Sequence, residues 1–187
     1  MRSGIPPADA EALLAFWFDP AHRPLWFRAT PEFDAELGER FLATWEAARD
    51  DALHAWEATP RGALALVIVL DQLPLNMFRG QPESFATEAA ARAVAARAIA
   101  RGFDAALDDA GRAFLYLPWM HSETLADQDR AVALYAAAGL ADNLKWAEHH
   151  REIVRRFGRF PHRNAILGRD STAAEQAWLA SPDAYGG

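Results

Sequence analysis

Cysteine is absent from all 187 residues. Disulfides and thiolate metal sites are thereby excluded, and a reducing compartment is the simplest home. Long hydrophobic runs are missing too. The longest, Ala63 to Leu70, falls far short of the roughly 20 apolar residues a membrane helix needs. The N-terminal stretch has a short apolar run, but Asp9 and Glu11 precede it where a secretory signal wants a basic start, so no leader is expected. Strand-period alternation appears nowhere. Positive charge is in deficit, with 19 Lys+Arg against 26 Asp+Glu and a net charge of −7. Such a surface repels polyanions, which argues against a nucleic-acid partner. The expectation is a soluble cytoplasmic protein with neither a membrane nor a nucleic-acid partner.

What is present is globular. Hydrophobic residues make up 51% and charged residues 24%, enough for a single domain over residues 1–187 with a real core. Helix signals dominate. Pro6 and Pro7 with early acids open a first helix. Thr30 and Pro31 open a second, in which Phe33, Leu37, Phe41 and Trp45 recur at spacing four as one apolar stripe. Thr59 and Pro60 open a third, apolar all round and therefore central. Gly102, Gly139 and Gly158 end later helices. Pro118 bends or stops another, and Thr172 with Glu175 has the spacing of a capping box. The expected fold is all-α, about seven or eight helices joined by short loops.

Polar groups interrupt this pattern at three places. Asp71 and Gln72 follow eight apolar residues, and Pro74 removes a helical N–H. If helical geometry persists, Gln72, Asn76 and Arg79 share a face. They either cap the broken helix or form the polar wall of a pocket. His121, Ser122 and Glu123 follow another apolar run. An imidazole beside a carboxylate is acid–base equipment, while Ser122 suits an N-cap. His150 falls inside the stripe of Leu144, Ala147, Val154 and Phe157, where a hydrogen-bonded core role is the simpler reading.

The third place is the most unusual. From His149 to Arg169 there are six arginines and one acid, a local charge of +5 in a chain whose remainder carries −12. Phe160 precedes a proline and should be extended, and Pro161 suits the first position of a helix. His162, Arg163 and Asn164 then fill its first turn, where backbone N–H groups lack partners and cations are unfavourable. An anion is required. It is either internal, with Asp71, Glu88, Glu123 and Asp127 as candidates, or the phosphate or carboxylate of a ligand.

Together "DQ.P.N.FRG", "FLYLPWMHSE", "ADQDRAV.L" and "H..I..RFGRFPHRNAILGR.ST", with "FWF", "LWF", "FDAEL.ERF" and "FAT", resemble a bacterial family known only as a domain of unknown function. The resemblance covers nearly the whole chain. It implies a tetratricopeptide-like all-helical fold and brings no established substrate, cofactor or catalytic residue. Leu73 and Leu75 stand where the family usually has an aromatic and an arginine, and Glu88 where it commonly has aspartate. No cation is therefore present at position 75 to meet a ligand.

The expected function is binding of a small carboxylate or phosphate in a polar pocket. Its residues would be Asp71, Gln72, Asn76, Arg79, His121, Glu123, His162, Arg163 and Asn164, with His121, Glu123 and His162 as candidates for catalysis. The segments Asp71–Arg79, His121–Asp127 and His162–Asn164 are expected to converge. The alternative is a peptide-binding module of the tetratricopeptide-like type. Neither H-E-x-x-H nor a Glu-x-x-His repeat occurs, so no metal and no cofactor are expected.

Overall fold

The structure, a computed structural model, describes residues 7–184. It is all-helical, with eight α-helices and no strand among the described residues. Pro6, invoked above for the first helix, lies outside them. The helices are α1 (Ala10–Trp17), α2 (Pro31–Arg49), α3 (Pro60–Met77), α4 (Glu88–Ala100), α5 (Asp109–Met120), α6 (Leu125–Ala138), α7 (Ala141–Phe157) and α8 (Ala173–Leu179). Short 3-10 turns punctuate them. The chain groups into two compact units, one of Met1–Arg79 with Glu83–Pro118, the other of Gly80–Pro82 with Trp119–Gly187.

In the first unit α3 is the centre, packed by α1, α2 and α4. Every residue from Gly62 to Pro74 is buried, as an all-apolar helix must be. Its start follows from Thr59, whose hydroxyl accepts from the Gly62 N–H at 3.0 Å. Gly62 has a steric reason as well: a Cβ there would lie 2.1 Å from the Trp56 carbonyl oxygen. α2 presents the expected stripe, with Phe33, Leu37, Phe41 and Trp45 all buried. Asp9 caps α1, accepting from the Ala12 N–H at 2.7 Å.

Pro74 does not end α3, which runs three residues further. The reason is a substitute donor. Pro74 cannot donate to the Leu70 carbonyl, and the Thr87 hydroxyl donates to it instead. The same hydroxyl accepts from the Trp45 indole N–H at 3.2 Å. One buried side chain thus repairs the ladder and holds α2 against α3. Pro118 likewise sits inside α5, which continues to Met120.

In the second unit α6 and α7 pack together. The link between them is Gly139–Leu140, with Gly139 in the left-handed region at φ 69°. A small core of Ile153, Val154, Phe160 and Trp178 gathers the end of α7, the following turn and α8. The capping box at Thr172 and Glu175 is formed in both directions. Across both units, no helix among the described residues is long and apolar enough to cross a membrane.

Replacing Thr87 by valine keeps the volume but strands a buried carbonyl and a buried indole N–H. The expected loss is about 1–3 kcal/mol of stability, read as a lowered urea midpoint. An unchanged midpoint would mean that the hydroxyl does not repair α3.

Candidate functional site

Asp71, Gln72, Asn76 and Arg79 lie in the first unit, and His121, Glu123, His162, Arg163 and Asn164 in the second. The first set forms a chain of hydrogen bonds at the end of α3. Gln72 Nε2 donates to Asp71 Oδ2 at 2.6 Å, and Asn76 Nδ2 to the Gln72 carbonyl at 3.2 Å. Arg79 lies just beyond the helix. It donates to Asn76 Oδ1 at 3.1 Å and grips Asp34 with Nε at 2.8 Å and Nη2 at 3.3 Å. The hydrogen bonds that Arg79 donates to Asp34 raise the Arg79 pKa against an opposing effect of burial. The pair borders an open cavity of about 560 Å³ that Ala29, Pro31, Asn76 and Met77 also line. Leu73 is fully buried.

The second set is organised by one carboxylate. The turn after α7 follows its sequence closely: Gly158 is left-handed at φ 70°, Phe160 is extended, and Pro161–Arg163 is a single 3-10 turn rather than the start of an α-helix. The internal anion for this turn is Glu123. Its Oε1 accepts from the Phe160 N–H at 2.8 Å and from Arg169 Nη2 at 2.9 Å, and its Oε2 accepts from Arg169 Nη1 at 2.7 Å. Burial pushes the Glu123 carboxyl up. The Arg169 and Phe160 hydrogen bonds and the charges of Arg169 and Arg163 outweigh that and hold it below its ordinary value. Glu123 is therefore ionised and engaged on both oxygens.

Arg169 also donates to Asn164 Oδ1 at 3.0 Å and to the Phe160 carbonyl at 3.2 Å. Asn164, 1% exposed, passes the chain on to Ser171 Oγ at 3.0 Å. Arg163 is buried; it donates to the His121 carbonyl at 3.0 Å and lies over the Phe160 ring at 4.8 Å. Arg163 and Asn164 thus tie the 121–124 segment to the 158–171 turn. Ser122 does not cap α6, whose N-cap is Thr124. Its hydroxyl donates to Asp127 at 2.6 Å and accepts from the Thr124 N–H at 3.3 Å. The buried Gln128 amide donates to the carbonyls of Met120 at 2.8 Å and Ser122 at 2.6 Å.

Four imidazoles gather on this frame. His150 bonds through Nδ1 to the Trp146 carbonyl at 2.8 Å, so it makes the hydrogen bond expected of it, but its ring is only partly buried rather than in the core. Its ring meets Phe160 edge-on at 5.6 Å and His149 at 6.2 Å, and Phe160 in turn lies 5.5 Å from His162. Burial pushes the His150 pKa down to about 3, and the charges of His121, His149 and His162 push the same way. Burial also lowers His162 to about 4, with Arg163 adding and Glu123 opposing. Both rings are neutral at pH 7. Each of the four keeps part of its surface exposed. No group of three or more His, Asp or Glu among the described residues is placed to hold a metal ion. Neither His149 nor Arg169 is among the site residues expected from the sequence. A helical neighbour of His150 and an arginine within the basic stretch were the available signals.

Fold and site together define a small all-helical protein with an imidazole-rich polar cluster. A family model described as bacterial protein of unknown function (DUF924) matches residues 13–183, and the chain belongs to that family. It is similar to a solved protein of unknown function, ATU0120 from Agrobacterium tumefaciens. The identity is 42%, the TM-score is 0.87, and the match covers 91% of this chain and 96% of that one. No curated protein matches it.

Replacing Glu123 by glutamine removes the charge that Arg169 meets. The pair is only about a quarter exposed, so the expected loss is about 1–3 kcal/mol, measured by urea unfolding. A second expectation concerns pH. His150 and His162 resist protonation when folded but titrate near 6.5 when unfolded, so the unfolded chain binds more protons below that pH. Stability is full above pH 6.5 and falls as pH drops, towards about 4 for His162 and about 3 for His150. Between pH 7 and 5 the loss is on the order of 1 kcal/mol per imidazole. His162→Gln should flatten this slope, and a slope unchanged by the substitution would contradict the burial of that ring.

Proposed function

We propose that the protein binds a small anionic ligand, a carboxylate or a phosphate, at the imidazole cluster of the second unit. The observation that carries this is the gathering of His121, His149, His150 and His162, partly exposed, around the Phe160 turn. A neutral His162 offers an N–H donor without the desolvation cost of a charge, whereas His150, whose Nδ1–H is spent on the Trp146 carbonyl, presents Nε2 and donates there only once protonated. An anion among them stabilises their protonated forms, so binding takes up protons. Glu123, ionised and engaged by Arg169 and Phe160, orients the frame rather than carrying a proton. His121 and His162 are the groups suited to proton transfer if the bound ligand reacts.

The fold reading that accompanies this is a tetratricopeptide-like right-handed array, in the cytoplasm, over residues 1–187 as one domain. In its support, consecutive helices α2–α3, α3–α4 and α6–α7 pack as neighbours, and a single family model spans residues 13–183. The alternative, a peptide-binding module, has one observation in its favour. Trp146 is 51% exposed beside His149, as an aromatic anchor for a partner would be.

The test is calorimetric titration with inorganic phosphate and with citrate at pH 7.5 and 5.5. Histidine ring signals are followed by NMR in parallel. Affinity should rise as pH falls, with proton uptake, and His162→Gln should weaken binding at least tenfold. Histidine signals that never move, with either probe at either pH, would sink the reading. Saturable binding of peptides alone would favour the module.

A further inference from the structure

The six arginines between His149 and Arg169 are not equivalent. Arg151 pairs with Asp129 at 3.5 Å and Arg155 with Glu152 at 2.6 Å. Arg159 holds Glu175 at 2.7 Å and the Asp170 carbonyl at 2.8 Å. Arg163 holds the His121 carbonyl at 3.0 Å, and Arg169 holds Glu123 at 2.7 Å. Arg156 is the exception. Among the described residues it has no carboxylate or carbonyl within bonding distance, and its guanidinium lies over the Phe157 ring, 4.7 Å from the centroid.

Arg156 also borders a cavity. Its volume is about 640 Å³, and its lining is Arg156, Phe157, Arg159, Thr172, Ala174 and Glu175. None of the four imidazoles contributes. The single carboxylate there is fully occupied: Glu175 accepts from Arg159 Nε at 2.7 Å, from Arg159 Nη2 at 2.9 Å and from the Thr172 N–H at 2.7 Å. Chiefly through the Arg159 hydrogen bonds, against the effect of burial, its pKa falls to about 2, so it stays ionised and cancels Arg159. Within the lining the positive charge of Arg156 has no carboxylate bonded to it; Glu152, which attracts it through space, lies outside the lining and is bonded to Arg155. Arg159 makes these bonds through Nε and Nη2, which leaves the Nη1 edge as a donor on a fixed guanidinium. Phe157 is fixed as well, its ring against Trp178 at 5.7 Å.

We infer that this cavity, between the end of α7 and the start of α8, is a second anion site. Its ligand is a small carboxylate or phosphate compound that carries a flat apolar group. Arg156 is the movable clamp on the anion, the outer edge of Arg159 the fixed donor, and Phe157 the wall for the apolar part. A guanidinium suits planar oxyanions through paired N–H bonds. Releasing Arg156 from Phe157 gives up only a weak cation–π contact. Bringing an anion here completes a pairing that the other five arginines already have.

The experiment is an NMR titration of the full chain with benzoate and, separately, inorganic phosphate, following arginine Nε–Hε and Phe157 ring signals. Benzoate should saturate the signals of Arg156, Arg159 and Phe157 and bind more tightly than phosphate. Phosphate binding more tightly than benzoate would remove the role given to Phe157. Arg156→Ala should weaken binding at least tenfold with an unchanged thermal midpoint. Arg151→Ala, whose arginine is paired with Asp129, should leave it unchanged. No saturable shift at Arg159 and Phe157 would overturn the inference, as would equal losses in Arg151→Ala and Arg156→Ala. Because the reporters are Arg159 and Phe157, the imidazole reading can fail while this site stands, and the reverse.

Discussion

The second unit depends on the pairing of Glu123 with Arg169 and the Phe160 N–H. The chain after α7 must turn sharply at Gly158, present Phe160 to a core with Trp178, and still satisfy its own backbone. Phe160 has no side-chain oxygen with which to cap the following turn. A carboxylate from 37 residues earlier supplies what a serine would have supplied locally. Having done so, it also attracts Arg169, which then reaches the Phe160 carbonyl and Asn164. Both backbone polar groups of Phe160 are thereby answered by side chains. The imidazoles stand around that ring, so their positions follow from a bond none of them makes.

The first unit solves the opposite problem. α3 is so apolar that burial is assured, and what needs care is its backbone. Pro74 deletes one donor inside a buried stretch of helix. A deletion of that kind leaves a carbonyl whose desolvation costs about 1–3 kcal/mol. Thr87 offsets it because a hydroxyl both donates and accepts, and so serves Leu70 and Trp45 at once. A helix with a proline in it can therefore continue past that proline. The local rule that proline ends a helix fails where a long-range side chain takes over.

That difference marks what the sequence could disclose. Local chemistry was legible: Thr30, Thr59 and the Thr172–Glu175 box cap the helices named for them, Gly139 and Gly158 are left-handed, and Phe160 is extended. An anion near His162 and Arg163 was expected from the terminus of an α-helix that proves to be a single 3-10 turn; Glu123 is there, but it answers the Phe160 N–H and Arg169. Glu123 was one of four acids named, and nothing short of the fold selects it, since the contact spans 37 residues. Arg169 was overlooked for the same reason. The role of Ser122 was misread because capping and side-chain bonding to Asp127 use the same residue type at nearly the same spacing. The lowered pKa values of His150 and His162 arise from burial by distant residues, which a helical stripe hints at for His150 alone.

The excess of positive charge from His149 to Arg169 now has a physical meaning. Arginines in an acidic protein are not repelled from one another when each is given a fixed acceptor. Their forked donors suit them to bridging segments far apart in sequence, as Arg159 does over 16 residues and Arg169 over 46. A stretch that reads as a polyanion patch is therefore built as a set of cross-links. A cross-link of this kind offers an external anion only the edge that its partner leaves. On the readings proposed above, such an anion is met by the imidazoles around Phe160 and by Arg156, whose guanidinium rests on Phe157, together with the Nη1 edge of Arg159. The two differ in how they respond to pH. An imidazole gains charge when an anion arrives, while an arginine carries its charge already, so only the first couples binding to proton uptake.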